Sequence, residues 1–480
     1  MTFVVRAKYL QNIKENLAFD SYKWVFNPNF KISLNQQSNN NFSMHRLKIF
    51  VGVSLLVLTL LFLTTSSIIR PEPNSSADNK TLTVAPETTI VDKKAVRQFE
   101  SQQQKLNITV EAYFKKAIAA GDIVGAGVSI VKGDSIVLSD GYGKRDINQT
   151  EKVNGETIFR LGSLSKGFAG VLAADLKSEG KLNWTDKVND YLPEFQLGDS
   201  ANTAKITLAN IMSHTSGTPY HSFTNLVEAG IPMATIAKRF KEVNPISEPG
   251  ELYSYQNAMF ALSGEIMFKA TGNEVTESLH NRFFKPLGMC TTNADYETLI
   301  NIENVAMPHV RYRKGWRSRK LTDRYHNAIV AGGINASPHD MGRWMRFLLG
   351  HNPEVMEESA IAEAFMPQVE INIGRKYYKR WPGHIASYYA FGWRIHTFEV
   401  EDSEQQETVW HHGGSVNNYR NEIAMYPEAD LGICVLLNSN SRIASTVIPD
   451  IHQIVNDVYR VTESESDQDI PESASSSSSL

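Results

Sequence analysis

Three short words, far apart but in a fixed order, constrain this 480-residue chain more than its composition does: Ser163-Leu164-Ser165-Lys166, Tyr255-Gln256-Asn257 and His411-His412-Gly413-Gly414. Together they supply a hydroxyl nucleophile with an amine nearby, a second proton carrier, and a glycine-rich strand able to lie close to a reacting carbonyl. A fold that uses them must bring a helix start, a loop and a strand to one cleft. That is the inventory of a serine acyl hydrolase.

A serine three residues before a lysine occurs three times, and the surroundings separate the three. Ser129 and Lys132 lie in a β-branched run, 127–132, that reads as a strand, where side chains three apart point to opposite faces. Ser178 and Lys181 flank Glu179-Gly180, where a helix stops. Ser163 follows Gly162 and precedes an Ala-rich stretch, 166–176, with apolar residues at helical spacing. On a helix, positions i and i+3 share a face, so the Lys166 amine can reach the Ser163 hydroxyl. A buried lysine with a lowered pKa can act as a base near neutrality. A serine capping a helix beside a solvated lysine is the bland alternative.

Tyr255 has a decoy in Tyr419-Arg420-Asn421, which directly follows the third word. A turn at Pro249-Gly250 and a helical pattern over 258–267 place Tyr255 and Asn257 on a loop edge. A tyrosine near a lysine ammonium has its ionised form favoured, so Tyr255 is expected to relay a proton. The alternative is a packed tyrosine whose hydroxyl bonds to backbone. In the third word, paired glycines let the backbone approach a substrate and offer an N–H to an oxyanion. The adjacent histidines raise a metal site, but neighbours in a strand point apart and no third ligand stands at a recognisable spacing, so no metal is expected.

These words, with Ile158-Phe159-Arg160-Leu161-Gly162-Ser163, the run 208–217, Pro286-Leu287-Gly288-Met289 and 331–337 before Asp340, resemble the serine β-lactamase and penicillin-binding-protein superfamily. The branch resembled holds class C β-lactamases, D-Ala-D-Ala carboxypeptidases, D-aminopeptidases and related esterases, and the resemblance spans 106–461. It implies Ser163 as acylated nucleophile, Lys166 as its base partner, Tyr255 as second acid/base, and Asn257 as a substrate or lysine contact. His411 and Gly413 match the family's Lys/His-Thr-Gly strand. The implied catalytic set is therefore Ser163, Lys166, Tyr255 and His411. Asn257, His412, Gly413 and Gly414 face substrate, and the N–H groups of Ser163 and Gly414 form an oxyanion hole. No cofactor is implied.

One departure bears on substrate. Where β-lactamases carry a lysine on that strand, this chain has His411 and His412, and a histidine of ordinary pKa is mostly neutral at pH 7. Weaker carboxylate recognition shifts the expectation towards an esterase, amidase or D-amino-acid peptidase. The alternative is a penicillin-binding, D-Ala-D-Ala carboxypeptidase-type enzyme or a stalled acyl-binding sensor. Arg311, Arg313, Lys314, Arg317, Arg319, Lys320 and Arg324 could attract an anionic substrate, but read first as a solvated loop face. A net charge of only -4 gives no reason to expect nucleic acid. The expected partner is a small-molecule or peptide substrate, with oligomeric state open. Cys290 and Cys434 do not define a disulfide.

Residues 1–48 precede an apolar run, 49–69, near the ~20 residues that span a bilayer as a helix. Arg46 and Lys48 stand before it, which sets 1–48 in the cytoplasm, 49–69 as a single-pass anchor and the enzyme on the periplasmic side of the cell membrane. If translation starts at Met44, the same run reads as a signal peptide and the product is secreted. A polar linker (70–96), a hydrolase domain (97–461) and an acidic, Ser-rich disordered tail (462–480) follow. Within the domain the pattern predicts a helix over 106–120, a hairpin over 125–142, and helices at 166–176, 208–213, 257–270, 275–284 and 338–349. Strands near 390–398 and 422–437 and a helix over 448–459 close it. The fold class is α/β of the α+β type: one antiparallel sheet flanked by terminal helices, with an inserted, mostly helical domain.

Overall fold

The first and last strand-forming runs of the domain pair with each other, and everything between them hangs from that junction. The computed structural model describes residues 93–466 apart from 375 and 401–404. The cytoplasmic segment, the apolar run 49–69, nearly all of the linker and the end of the tail lie outside the described residues. Among the described residues no helix is long and apolar enough to cross a membrane.

Helix α1 (Lys93–Ala119) leads into strands β1 (Gly125–Lys132) and β2 (Ser135–Gly143), a hairpin turning at Gly133 with φ +60°. Helices α2 (Ser165–Ser178), α3 (Asn257–Thr271) and α4 (Pro338–Leu348) are the long elements of the middle. Strands β3 (Val369–Glu370), β4 (His384–Tyr389), β5 (Arg394–Glu399), β6 (Gln406–Val416), β7 (Tyr419–Tyr426) and β8 (Leu431–Leu437) follow, and α5 (Val447–Ser466) ends the fold. The eight strands form one sheet in the order β2-β1-β8-β7-β6-β5-β4-β3. β8 is inserted antiparallel between β1, with Ala126 opposite Leu437, and β7, with Arg420 opposite Leu437.

Alternation along the strands divides the core in two. Val128 and Ile130 of β1 and Ile433 and Val435 of β8 pack against Leu106, Val110 and Phe114 of α1 and Ile448, Ile451 and Val455 of α5. The intervening Cys434 and Leu436, with Trp410, Ile423 and Met425, face the helical middle, where Phe168 and Leu172 of α2 and Met341, Trp344 and Met345 of α4 meet them. The expected sandwich of terminal helices, sheet and helical insert is thus the observed one. Ser337 caps α4 by accepting from the Asp340 N–H, as Ser-Pro at a helix start predicts. Both cysteines are free.

Two helix ends and one strand differ from expectation: α5 runs to Ser466, past 459 and into the tail expected to be disordered. α1 begins at Lys93 rather than 106, because residues 94–105 are mostly polar and exposed, with only Ala95, Val96 and Phe99 apolar, too few to give the pattern a stripe. β4 was unforeseen; its Ile385 is exposed while Ser387 is buried, the reverse of the alternation a sequence pattern rewards.

Candidate active site

Ser163 sits on a turn that only its neighbours make possible. Gly162 has φ +58°, a left-handed conformation, and a Cβ there would lie 2.9 Å from the backbone N of Ser415 on β6. Gly162–Leu164 form a 3-10 turn that runs straight into α2. Ser163 is therefore half-buried beside the end of β6 while Lys166, one turn on, points inward and is fully buried. The decoys behave as expected: Ser129 and Lys132 lie on β1, and Ser178 is the last residue of α2.

Lys166 Nζ lies 2.8 Å from Asn257 Oδ1, 2.7 Å from the Ala331 carbonyl and 3.4 Å from Ser163 Oγ. Burial drives its pKa well below the ordinary lysine value, and the Arg394 guanidinium adds to that. A neutral amine has two hydrogens, which the amide oxygen and the carbonyl accept. Its lone pair is left for the Ser163 hydroxyl. The carbonyl comes from the segment after Tyr325, which is bound alongside the nucleophile turn by Leu161 N–H to Ile334 O (2.9 Å) and Ile334 N–H to Ser165 Oγ (3.1 Å).

Tyr255 donates to Ser163 Oγ from the other side, at 3.0 Å. Contrary to the expected ionisation, burial pushes the phenol up to about 12, against Arg394 and its bond to Ser163. Burial also drives the Lys166 amine towards its neutral form, so both shifts favour a protonated phenol beside an uncharged amine. Asn257 opens α3 and donates from Nδ2 to Tyr325 OH at 3.1 Å.

The two histidines of the third word part company. His412 is buried near Tyr255, its Nδ1 donating to the Gly413 carbonyl (2.9 Å) and its Nε2 accepting from Tyr389 OH (3.0 Å). Tyr389 accepts in turn from His214 Nε2 (3.2 Å), whose Nδ1 accepts from the Gln256 N–H (3.2 Å). This chain ties β6 to the residue between Tyr255 and Asn257. His411 does not join the group, which corrects its place in the catalytic set. Side chains alternate along a strand, and His411 points to the other face, bonded to His396 and Glu422 among Tyr377, Tyr378 and Trp381. Burial, with Arg394, holds both rings well below the ordinary histidine pKa, so neither is the cation that a lysine would be.

Pairing of β6 with β5 ends at His411 opposite Arg394, which leaves the edge beyond it open. Successive N–H groups on a strand point to alternate edges. Thr408 N–H points to the β7 side, donating to Glu428 (3.3 Å), and Gly414, an even number of residues on, points the same way. The N–H on the open edge beside Ser163 is therefore that of Ser415, not Gly414. Gly414 acts by its size, since a Cβ there would be 2.1 Å from the Leu161 carbonyl. Gly413 lies on the same open edge, half-buried.

Sequence reasoning missed His214, Tyr389, Ala331 as a carbonyl, Ser415 and Arg394. Arg394, opposite His411, raises no motif, yet its buried Nε and Nη1 have no hydrogen-bond partner and its charge reaches Lys166, Tyr255 and His412. The decoy Asn421 is structural, donating to the Arg160 and Leu161 carbonyls behind the nucleophile turn. The basic cluster is exposed; Arg317 stacks over Tyr312, 3.6 Å from the ring centre, and Arg319, Lys320 and Arg324 border a groove with Asn417 and Asn418 of the β6–β7 turn.

The Beta-lactamase family model matches residues 110–453. Protein flp of Staphylococcus aureus (strain MRSA252) is 26% identical over 369 residues, covering 75% of this chain and 68% of its own. Unguisins hydrolase ungD' of Aspergillus campestris is 24% identical over 351 residues, covering 69% of this chain and 61% of its own. The octameric penicillin-binding protein homologue from Pyrococcus abyssi shares the fold, with a TM-score of 0.62 at 21% identity, over 74% of this chain and 80% of that one.

Proposed function

Because this chain belongs to the Beta-lactamase family, we propose that it is a serine acyl hydrolase that cleaves an ester or amide bond through an acyl-enzyme on Ser163. The observation that carries this is Ser163 Oγ, set between the Lys166 amine at 3.4 Å and the Tyr255 hydroxyl at 3.0 Å. Neutral Lys166 takes the hydroxyl proton as Oγ attacks the substrate carbonyl. The N–H groups of Ser163 and Ser415 receive the oxyanion, and Tyr255, still protonated, delivers a proton to the leaving group. Water then attacks the acyl carbon, giving its proton to the Tyr255 phenolate, and Lys166 returns its proton to Oγ as Ser163 is released. Asn257 and His412 hold Lys166 and Tyr255 in place.

Arg394 favours a second reading, a D-Ala-D-Ala carboxypeptidase-type activity. Its Nε and Nη1 have no hydrogen-bond partner and its charge reaches Lys166 and Tyr255, which suits a substrate that ends in a free carboxylate. The apolar run 49–69 behind Arg46 and Lys48 supports a membrane anchor with the domain outside the cytoplasm.

A fluorophosphonate probe is expected to label the full chain on Ser163 and to leave Ser163→Ala unlabelled. Undiminished labelling of that variant would sink the assignment. A panel of a short-chain nitrophenyl ester, a cephalosporin and a D-Ala-D-Ala peptide separates the two readings, with Arg394→Gln expected to lose the peptide activity and keep the ester.

A further inference from the structure

His411 belongs to a hydrogen-bonded file that the chemistry above does not use. His384 Nε2 lies 2.7 Å from Ser387 Oγ, which lies 2.8 Å from His396 Nδ1. His396 Nε2 is 3.0 Å from His411 Nδ1, and His411 Nε2 is 2.9 Å from Glu422 Oε2. The file crosses four adjacent strands, β4, β5, β6 and β7. Ser387, His396, His411 and Glu422 are buried, and only His384 reaches the surface.

The hydrogens in this file can be placed. An ionised carboxylate only accepts, so His411 carries its hydrogen on Nε2 and, being neutral, accepts at Nδ1. His396 then donates from Nε2 and accepts at Nδ1 from the Ser387 hydroxyl, which accepts from His384. Every donor points towards Glu422. A proton added to His384 can therefore move along: each histidine gains hydrogen on Nδ1 and passes on the one on Nε2, Ser387 hands on its own, and Glu422 becomes a neutral acid. One proton has left solvent, one carboxylate has been neutralised, and His396 and His411 have changed tautomer.

Glu422 is the cross-strand partner of Gly413. A Cβ on Gly413 would lie 2.7 Å from Tyr377 OH and 2.8 Å from Glu422 Oε2, so both groups press directly beneath that glycine, and they bond each other at 2.6 Å. We propose that His384, Ser387, His396 and His411 form a proton relay that sets the charge of Glu422, and that Glu422 and Tyr377 are a positioning pair for the Gly413–Ser415 edge of the cleft. The groups facing Glu422 are Arg420 on its own strand (3.1 Å to Oε1), His411 on β6, Tyr377, Arg394 on β5 and Cys434 on β8. Those facing His396 are His384, His411, Arg394 and Lys379, with the rings of Tyr378 and Trp381. Burial pushes the Glu422 carboxyl up to about 7, against the pull of Arg420, Tyr377 and Arg394, so the exchange falls near neutrality.

The positioning half rests on the serine hydrolase reading, whereas the relay half does not. In the full chain labelled with ¹⁵N-histidine, the Nδ1 and Nε2 shifts of His396 and His411 are expected to interchange between pH 5 and 9 with one common midpoint. In parallel, kcat for a neutral nitrophenyl ester should change threefold or more across that midpoint with little change in KM. Glu422→Gln should remove both transitions, and Ser387→Ala, which leaves the carboxyl in place, should uncouple His384 from them. Ser163→Ala should abolish hydrolysis but retain the tautomer exchange. Fixed tautomers across the range, or neither variant altering the transition, overturn the relay; an intact exchange with a flat kcat in an active enzyme overturns the positioning.

Discussion

Two neighbouring histidines on one strand, both fully buried and both neutral, end on different acceptors. On the cleft side His412 donates to a peptide carbonyl, which does not titrate, so the chain through Tyr389 and His214 to Gln256 ends on no group that could take up a relayed proton. On the far side His411 donates to a carboxylate, which does titrate, so its chain has two arrangements. Residue type and burial are the same; the group at the end of the file decides whether a network is a fixed brace or a reversible one. Substitutions on the cleft side should therefore change the rate at every pH, and those behind β6 should change how rate and stability respond to pH.

The largest effect is expected from Lys166→Met, which removes the base and should lower kcat/KM by about a thousandfold. Its stability sign is opposite. The native lysine pKa lies below that of the unfolded chain, so its contribution is fully present above the unfolded value and lost as pH falls. Thermal melts should show Lys166→Met gaining on wild type at pH 7 and losing that gain towards pH 10. Equal differences at both pH values would contradict a neutral, desolvated amine.

Tyr255→Phe should cost about a hundredfold in kcat/KM, with the melting temperature nearly unchanged. Tyr389→Phe breaks the brace at its centre and leaves His412 and His214 each short of a partner. The expected cost is about 1–3 kcal/mol by denaturant titration, with a uniform loss of activity. An altered pH profile in Tyr389→Phe would blur the contrast between the two histidines.

Glu422→Gln should have the smallest effect on rate and a distinct one on stability. The native carboxyl at about 7 lies above the unfolded value of 4.5, so the folded state holds an extra proton between them, and that stability is lost as pH rises through 7. The melting temperature of wild type should fall from pH 5 to 8 more steeply than that of Glu422→Gln. Parallel curves would show that Glu422 does not titrate in the native state.

Most of the fold was legible because its elements are signalled locally: the Gly133-Asp134 hairpin, Ser337-Pro338 at a helix start, the Ala-rich run of α2. The first half of α1 and β4 were hidden because polar exposed helix and mixed-face strand carry no periodic signal. In the site, Ser163, Lys166, Tyr255 and Asn257 came together as the chain order suggested. His411 was misplaced because a strand read one residue out of register exchanges its faces, and two adjacent histidines offer nothing to fix the frame. Ser415 and Ala331 act through backbone, which no residue type announces. Arg394 needs its strand partner to be known before it means anything.

The place of β8 between β1 and β7 has a consequence for how the chain is made. The β1–β2 hairpin emerges from the ribosome early, but its neighbour at Leu431–Leu437 is synthesised only near the end. At ~5–20 residues per second, β1 waits on the order of 15–60 seconds with one edge unpaired. During that interval it is a sticky strand with no partner, and a nascent chain stalled anywhere in the helical middle holds the nucleophile without the strand that completes its site. Recovery of activity after unfolding should accordingly lag the return of helix, because the last pairing made is the one that joins the ends.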